Sequence, residues 1–199
     1  MEAPQIIFSK QTIGIMAGIL AFASYVFYIG SILRGKTKPN RASWWVWASL
    51  GFVLFTSYIM SGAKETIWAP LSEAIGPLLA AVLSLKYGEG GWTPFDLKCL
   101  GGVVLAILLW LLFNSPLIAL LCGLTIDLFA ALPTIKKAYW KPHEENLTAW
   151  VLVVLANALN ILAVEHWTFA IAIVPIYTTG ITGAILTPLL LPRNKIKNV

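Results

Sequence analysis

The sequence predicts an all-α integral membrane protein. Seven transmembrane helices form two parallel three-helix repeats joined by one linker helix, with the N-terminus outside and the C-terminus inside. Three observations carry this. Of the 199 residues, 58% are hydrophobic and only 12% charged, about half the roughly 25% charged share of soluble domains; mean hydropathy is +0.79. Seven apolar runs approach the ~20 residues that cross a bilayer. A corner also recurs: Ile32, Arg34, Lys38-Pro39 and Trp47 fall 103 positions before Ile135, Lys137, Lys141-Pro142 and Trp150, and Ser31 falls on the similar Thr134. Such internal self-similarity is the mark of a repeat.

The helices are expected in order at Thr12–Leu33, Ser43–Ser61, Ile67–Leu85, Leu97–Phe113, Pro116–Ile135, Leu147–Val164 and Phe169–Leu191. The breaks hold the turn formers, glycines and charges: Gly35 to Arg41, Gly62 to Glu65, Tyr87 to Pro94, Asn114-Ser115, Lys136 to Asn146, and Glu165 to Trp167. The fifth helix is expected to end at Pro133 to Lys137, because proline removes a helix donor and clashes with the preceding turn. Domain bounds follow as 1–92 (first repeat), 93–114 (linker helix) and 115–199 (second repeat with a basic tail). An odd-numbered insert restores orientation, so the copies are parallel, related by an axis along the membrane normal.

Lysines and arginines set the orientation. Arg34, Lys36, Lys38, Arg41, Lys86, Lys98, Lys136, Lys137, Lys141, Arg193, Lys195 and Lys197 fall on one side, against Lys10 and Lys64 on the other. The positive-inside rule makes the richer side cytoplasmic. Trp68, Trp92 and Trp167 near helix ends fit an aromatic belt. The net charge of +5 belongs to these short loops and gives no reason to expect a nucleic acid. Cys99 and Cys122 lie in or beside predicted helices as small apolar fillers, without a disulfide framework or metal-ligand spacing. His143 and His166 have no ligand partner at standard spacing. No metal or cofactor is expected. A cleavable signal peptide is not expected either, since the start lacks a basic n-region.

Three helices, a linker helix and three more, N-terminus out, with a turn after the first helix of each copy, resemble the SWEET and PQ-loop (MtN3-like) transporter superfamily. The likeness covers nearly the whole chain, as a divergent bacterial-type member. The family's Pro-Gln pair falls on Pro133-Thr134 in the second copy and on Gly30-Ser31 in the first. The resemblance implies passage of a small solute (a sugar, an amino acid or a vitamin-like metabolite) by rocking of two triple-helix bundles around a central site.

Asp127 is the leading site candidate. An ionised carboxylate at membrane depth costs roughly 2.5–3.5 kcal/mol, which a partner, a hydrated cavity or protonation must offset. It lies six residues before Pro133, so about 9 Å from the expected corner, and Ser24 is its counterpart in the first copy. The competing reading is a carboxylate that pins two helices. Glu73, between Pro70 and Pro77, suits a gate in a bent helix; the alternative is a headgroup-facing acid paired with Lys64. Placing Pro70 on Pro175 puts Glu73 opposite Thr178. Asn157 and Asn160 share a helix face with Trp150, and amide plus ring suits a polar solute, although interhelical hydrogen bonding reads as well. Trp47 heads the matching stripe. Tyr25, Tyr28, Trp44 and Trp45 line the inner mouth or anchor the interface. Tyr177, Thr178, Gly180 and Gly183 form a flexible polar patch. Pro133, Pro142, Pro39, Gly30, Gly35, Pro70 and Pro175 read as corner or hinge residues.

These expectations give a transporter of a small polar solute in the bilayer of a bacterial inner membrane, with uniport and proton coupling through Asp127 or Glu73 both open. A seven-helix solute receptor or trafficking protein is the alternative. A retinal protein needs a lysine in the last helix, and Phe169 to Leu191 has none. An enzyme is not expected, because Gly-x-Ser-x-Gly, His-Glu-x-x-His and paired metal acids do not occur. Symmetry completed within one chain allows a monomer, and a homo-oligomer is equally open.

Overall fold

The computed structural model describes residues 9–60, 68–89, 92–112, 116–164, 167 and 169–191. These form seven α-helices and one 3-10 turn, with no strand among them: α1 Lys10–Leu33, α2 Arg41–Met60, α3 Trp68–Tyr87, α4 Pro94–Leu112, α5 Pro116–Trp140, the turn Pro142–Glu144, α6 Leu147–Ala163 and α7 Phe169–Leu190. The expected bounds hold to within three residues, except at the end of α5. The breaks at Lys64-Glu65, Asn114-Ser115 and His166, and the C-terminal basic tail, lie outside the described residues.

Side-chain caps explain where several helices begin. The Ser9 hydroxyl accepts from the Thr12 amide at 3.1 Å. Asn40 Oδ1 accepts from the Ser43 amide at 3.0 Å and Asn146 Oδ1 from the Ala149 amide at 2.8 Å, so α2 and α6 share an asparagine cap. Thr93 and Asp96 bond each other's amides at the head of α4, a reciprocal cap. Each such cap is worth about 1 kcal/mol.

Counted from the two asparagine caps, Trp44 and Trp150 occupy the same position. Each donates its amide to the cap carbonyl at 3.2 Å. The pairing of Trp47 with Trp150 expected from a constant offset therefore does not hold. α5 continues five residues past Ile135 and is followed by the 3-10 turn, which pushes α6 three residues further along.

One corner residue needs correcting, Pro133, while Gly30, Pro70 and Pro175 stand inside their helices as the expected bounds place them. Pro133 lies inside α5, where the penalty of roughly 3 kcal/mol for an interior proline is offset by packing, since Ala130, Ala131, Thr134 and Ala138 around it are all buried. Gly30 lies within α1; the turn is made by Gly35, whose φ of +69° is the left-handed conformation that ends helices. Pro70 stands in the first turn of α3, where the missing donor costs nothing. Pro175 lies inside α7, its carbonyl accepting the Thr179 hydroxyl at 2.7 Å. Pro39 and Pro142 do sit in the corners. Pro39 is fully buried, and Pro142 starts the 3-10 turn.

The helix neighbours form a simple pattern. α3 lies between α1 and α2, and α7 between α5 and α6. α1 packs against α6 and α2 against α5, closing a ring of six, while α4 packs against α5. Two glycines permit close approaches: a Cβ on Gly51 would sit 2.1 Å from the Glu73 carbonyl oxygen, and one on Gly76 would meet the Tyr25 ring at 2.4 Å. The core gathers near one end of the ring, around Tyr28, Ile32, Trp44, Ala80, Ala131, Trp150 and Ile185.

The outer surface is apolar. Ile15, Ile19, Phe22 and Val26 on α1, Val104, Leu105, Leu108, Leu111 and Leu112 on α4, and Leu155 and Leu162 on α6 are exposed, Leu112 by 76%. Among the described residues, two helices are long and apolar enough to cross a membrane, Lys10–Leu33 and Ala172–Leu190, and both are little buried inside the protein. Leu147–Ala163 is apolar but shorter.

Candidate functional site

Because α5 runs to Trp140, Asp127 lies at the middle of its helix, about 20 Å from the C-terminal end at 1.5 Å per residue, deeper than the expected corner would put it. Its Oδ1 accepts the indole N–H of Trp47 at 2.9 Å, linking α5 to α2. Its Oδ2 is buried and has no hydrogen-bond partner. Tyr177 of α7 stands beside this carboxyl and donates its hydroxyl to the Leu124 carbonyl at 2.8 Å. Glu73 lies on α3. Its Oε2 accepts the Tyr25 hydroxyl of α1 at 2.8 Å. Glu73 is exposed, whereas Asp127 is half-buried.

The structure thus pairs Asp127 with Trp47 and Glu73 with Tyr25, the latter a tyrosine expected to line the inner mouth or anchor the interface. Gly76 is the one signal that could have placed Tyr25, since the bare backbone of α3 gives its ring room to cross to Glu73. The other candidates divide. Asn157 Nδ2 donates to the Thr178 carbonyl at 3.4 Å and to Thr182 Oγ1 at 3.3 Å, a contact between α6 and α7. Thr178 bonds its own helix through the Pro175 carbonyl. Asn160 is exposed and does not share that contact. Trp150 is 6% exposed, and its indole N–H is taken by Glu145 Oε2 at 2.8 Å. It packs against Tyr28 and Trp47, with ring centroids 6.1 and 6.3 Å away. Its place is the core, where no face is free to stack on a solute. Tyr28 and Trp44 are buried beside it, the Trp44 N–H donating to the Tyr28 hydroxyl at 3.2 Å.

The other polar cluster joins the two corners. Lys137 and Glu145 form an ion pair whose side chains are 2% and 0% exposed, and Lys137 also donates to the Lys38 carbonyl. Lys38 in turn pairs with Glu144 at 2.8 Å, and its amide donates to the Glu144 carbonyl at 2.9 Å. Thr134 of α5 donates to the Ser43 hydroxyl of α2 at 2.8 Å. Glu89, after α3, accepts from Asn40 and lies 3.9 Å from Lys141. Sequence reasoning placed Lys137 at the end of the fifth helix and counted it only among the charges that set orientation. A cavity of about 260 Å³ adjoins this cluster, lined by Asn40, Asp96, Pro133, Lys136 and Trp140 among others; it is remote from the Asp127 carboxyl.

This corner has a pH signature. Burial alone would raise the Glu144 carboxyl, but the Lys38 hydrogen bond and the charges of Lys141, Lys38 and Lys137 outweigh it and hold the group below its ordinary 4.5. Glu144 holds Lys38 above its ordinary 10.5. A depressed acid stabilises above its unfolded value and loses that contribution as pH falls through the folded one; a raised base stabilises below its unfolded value and loses it as pH rises through the folded one. The Lys38–Glu144 contact is therefore complete from roughly pH 6 to 9 and weakens at both extremes. Thermal unfolding of wild type minus Glu144→Gln checks this: the difference should be flat across that window and shrink below the ordinary carboxylate range.

Among the described residues, no group of three or more His, Cys, Asp or Glu could hold a metal ion. Comparison with known protein families, with curated proteins and with solved structures gave no match.

Proposed function

We propose that the protein spans the membrane seven times and carries a small polar solute by alternating access between two three-helix bundles, with Asp127 at the shared site. The observation that carries this reading is the Asp127–Trp47 contact: a mid-helix carboxylate held across the seam between two helix triplets of identical internal order. The order α1-α3-α2 beside α5-α7-α6 supports two parallel copies with α4 as linker, as in the SWEET and PQ-loop arrangement. Local geometry supports the same register. Gly51 stands eleven residues after the cap of α2 and touches the Glu73 carbonyl; Asn157 stands eleven after the cap of α6 and touches the Thr178 carbonyl. Glu73 and Thr178 are then counterparts, as the alignment of Pro70 with Pro175 requires.

The exposed apolar faces of α1, α4 and α6 suit lipid better than water, since soluble monomers rarely expose continuous patches beyond a few hundred Å². Arg34, Lys36, Lys38, Arg41, Lys86, Lys98, Lys136, Lys137 and Lys141 flank one set of helix ends, and Lys10, which donates to the Val164 carbonyl, flanks the other. The positive-inside rule makes the first set cytoplasmic. In that orientation the Lys38, Glu144, Lys137 and Glu145 contacts join the two bundles at the cytoplasmic end, which makes this the state closed to the cytoplasm. Proton coupling through Asp127 or Glu73 is part of the proposal.

Fixing that closure should stop transport. With Cys99 and Cys122 replaced by Ala, Lys38→Cys and Glu144→Cys place thiols at two positions already joined by a backbone hydrogen bond. Oxidation in sealed vesicles should abolish solute flux, and reduction should restore it. Full flux in the oxidised, cross-linked protein would rule out opening at this corner.

A further inference from the structure

We infer that the cavity at the cytoplasmic corner seats the headgroup of a phospholipid bearing a primary ammonium, with the phosphate towards Lys136 and Lys141 and the ammonium towards Asp96 and Glu89. This rests on the membrane-spanning reading and is independent of transport. The cavity, about 260 Å³, lies where four helix ends meet. Asn40 and Thr93 precede α2 and α4, and Glu89 and Lys141 follow α3 and α5. Drug-sized ligands need upwards of roughly 300 Å³, so the space suits a group of headgroup size. Its charged lining is divided by element. The acids, Glu89 and Asp96, come from the segment after α3 and the head of α4. The lysines, Lys136, Lys137 and Lys141, come from the end of α5 and the residue after it.

Lys137 is already engaged by Glu145 and the Lys38 carbonyl, which leaves two cations and two anions. Asp96 is 5% exposed, and its hydrogen-bond partners are all neutral: the Thr93 amide and hydroxyl and the Asn40 side-chain amide. Lys136 stands 4.5 Å over the centre of the Phe95 ring of α4. Among the described residues it forms no ion pair with a carboxylate. Lys141 and Glu89 are 3.9 Å apart, beyond the roughly 2.7–3.2 Å of a hydrogen bond. A cavity balanced in charge, with its cations and anions on different elements, fits a zwitterion. An anionic headgroup would satisfy the lysines but bring its charge beside Asp96 and Glu89. A choline headgroup has no N–H to give the carboxylates, whereas a primary ammonium donates three. The setting is a lipid's. Trp140 lines the cavity and is 66% exposed at the end of α5, as tryptophans at the headgroup level are. Leu97, Val104 and Leu108 leave an exposed apolar face along α4 for the acyl chains. Basic pockets between helices on the cytoplasmic side suit phosphate headgroups, and the two acids narrow this one to a headgroup that also carries an ammonium.

The test uses the full chain, purified in detergent and stripped of co-purified lipid, with thermal unfolding as readout. The probes are dioleoyl phosphatidylethanolamine, phosphatidylcholine and phosphatidylglycerol at equal mole fraction. Glycerophosphoethanolamine serves as the headgroup without chains, and glycine as a free zwitterion. The expected result is a saturable upward shift, at least tenfold tighter for the ethanolamine lipid than for the other two, and none with the two soluble probes. Glu89→Gln, whose amide oxygen can still accept from Asn40, should abolish the preference for ethanolamine over choline. Lys136→Gln combined with Lys141→Gln should weaken the ethanolamine lipid at least tenfold, the loss of a charge-assisted hydrogen bond. Three results would overturn the inference: equal affinity for the three lipids, a preference that survives in both variants, or a soluble probe bound as tightly as the lipid, which would make the cavity a site for a free zwitterion. A chain that stays folded and monodisperse in buffer without detergent would remove the membrane reading itself. A chain that needs detergent but shows no lipid preference removes only the headgroup.

Discussion

Asp127→Asn is expected to fold, insert and yet lose solute flux by at least tenfold. The amide oxygen of Asn can still accept the Trp47 indole N–H, so the link between α5 and α2 survives as a neutral hydrogen bond. That exchange costs about 1 kcal/mol, the difference between a charge-assisted and a neutral bond. Removing an ionised group from membrane depth returns roughly 2.5–3.5 kcal/mol. The second effect is the larger, so the variant should be no less stable than wild type. Its loss of flux then measures the carboxylate's part in handling the solute or a coupled proton. Purification yield and thermal unfolding check the first half, and uptake into sealed vesicles the second. A variant that fails to insert would make Asp127 a structural pin, and one that transports normally would remove it from the site.

The largest stability effect is expected at Lys137. With its side chain and that of Glu145 almost wholly buried, Lys137→Met leaves a carboxylate uncompensated in the core, at a cost of about 3–5 kcal/mol. Lys137 also supports the Lys38 carbonyl, so the damage extends to the segment between α1 and α2. Glu145→Gln should cost a similar amount for the mirror-image reason. The double variant Lys137→Met, Glu145→Gln should recover much of the loss, because neither charge is then left alone and Gln can still accept the Trp150 indole N–H. Thermal unfolding of the three variants separates this from a packing defect: if the double variant is no better than the sum of the singles, the ion pair is not what holds the corner.

The helices were legible because apolar run length and the charges that end each run are one-dimensional properties. Asp127 and Glu73 stood out for a related reason, as acids inside apolar runs need an explanation wherever they lie. Three features were not legible. Pro133 reads as a helix stop, yet the buried alanines and Thr134 around it carry α5 through to Trp140. That extra length shifts α6 along the sequence, so Trp47 was matched to Trp150 although, counted from the two asparagine caps, Trp44 stands level with it. The partners Trp47 for Asp127 and Tyr25 for Glu73 depend on which helices lie side by side, and no spacing within one helix encodes that. Trp150 shows the converse error. The N–H of its indole is satisfied by Glu145 five residues back in sequence, and the ring is enclosed by the core.

The most direct measurement of the central claim is uptake by wild-type protein in sealed proteoliposomes, with radiolabelled organic cations, sugars, amino acids and nucleosides at pH 5.5 and 7.5. Time-dependent, saturable accumulation of one solute class above protein-free vesicles, abolished by Asp127→Asn, is the expected result. Uptake indistinguishable from protein-free vesicles for every class at both pH values, from protein shown to be folded and inserted, would contradict it.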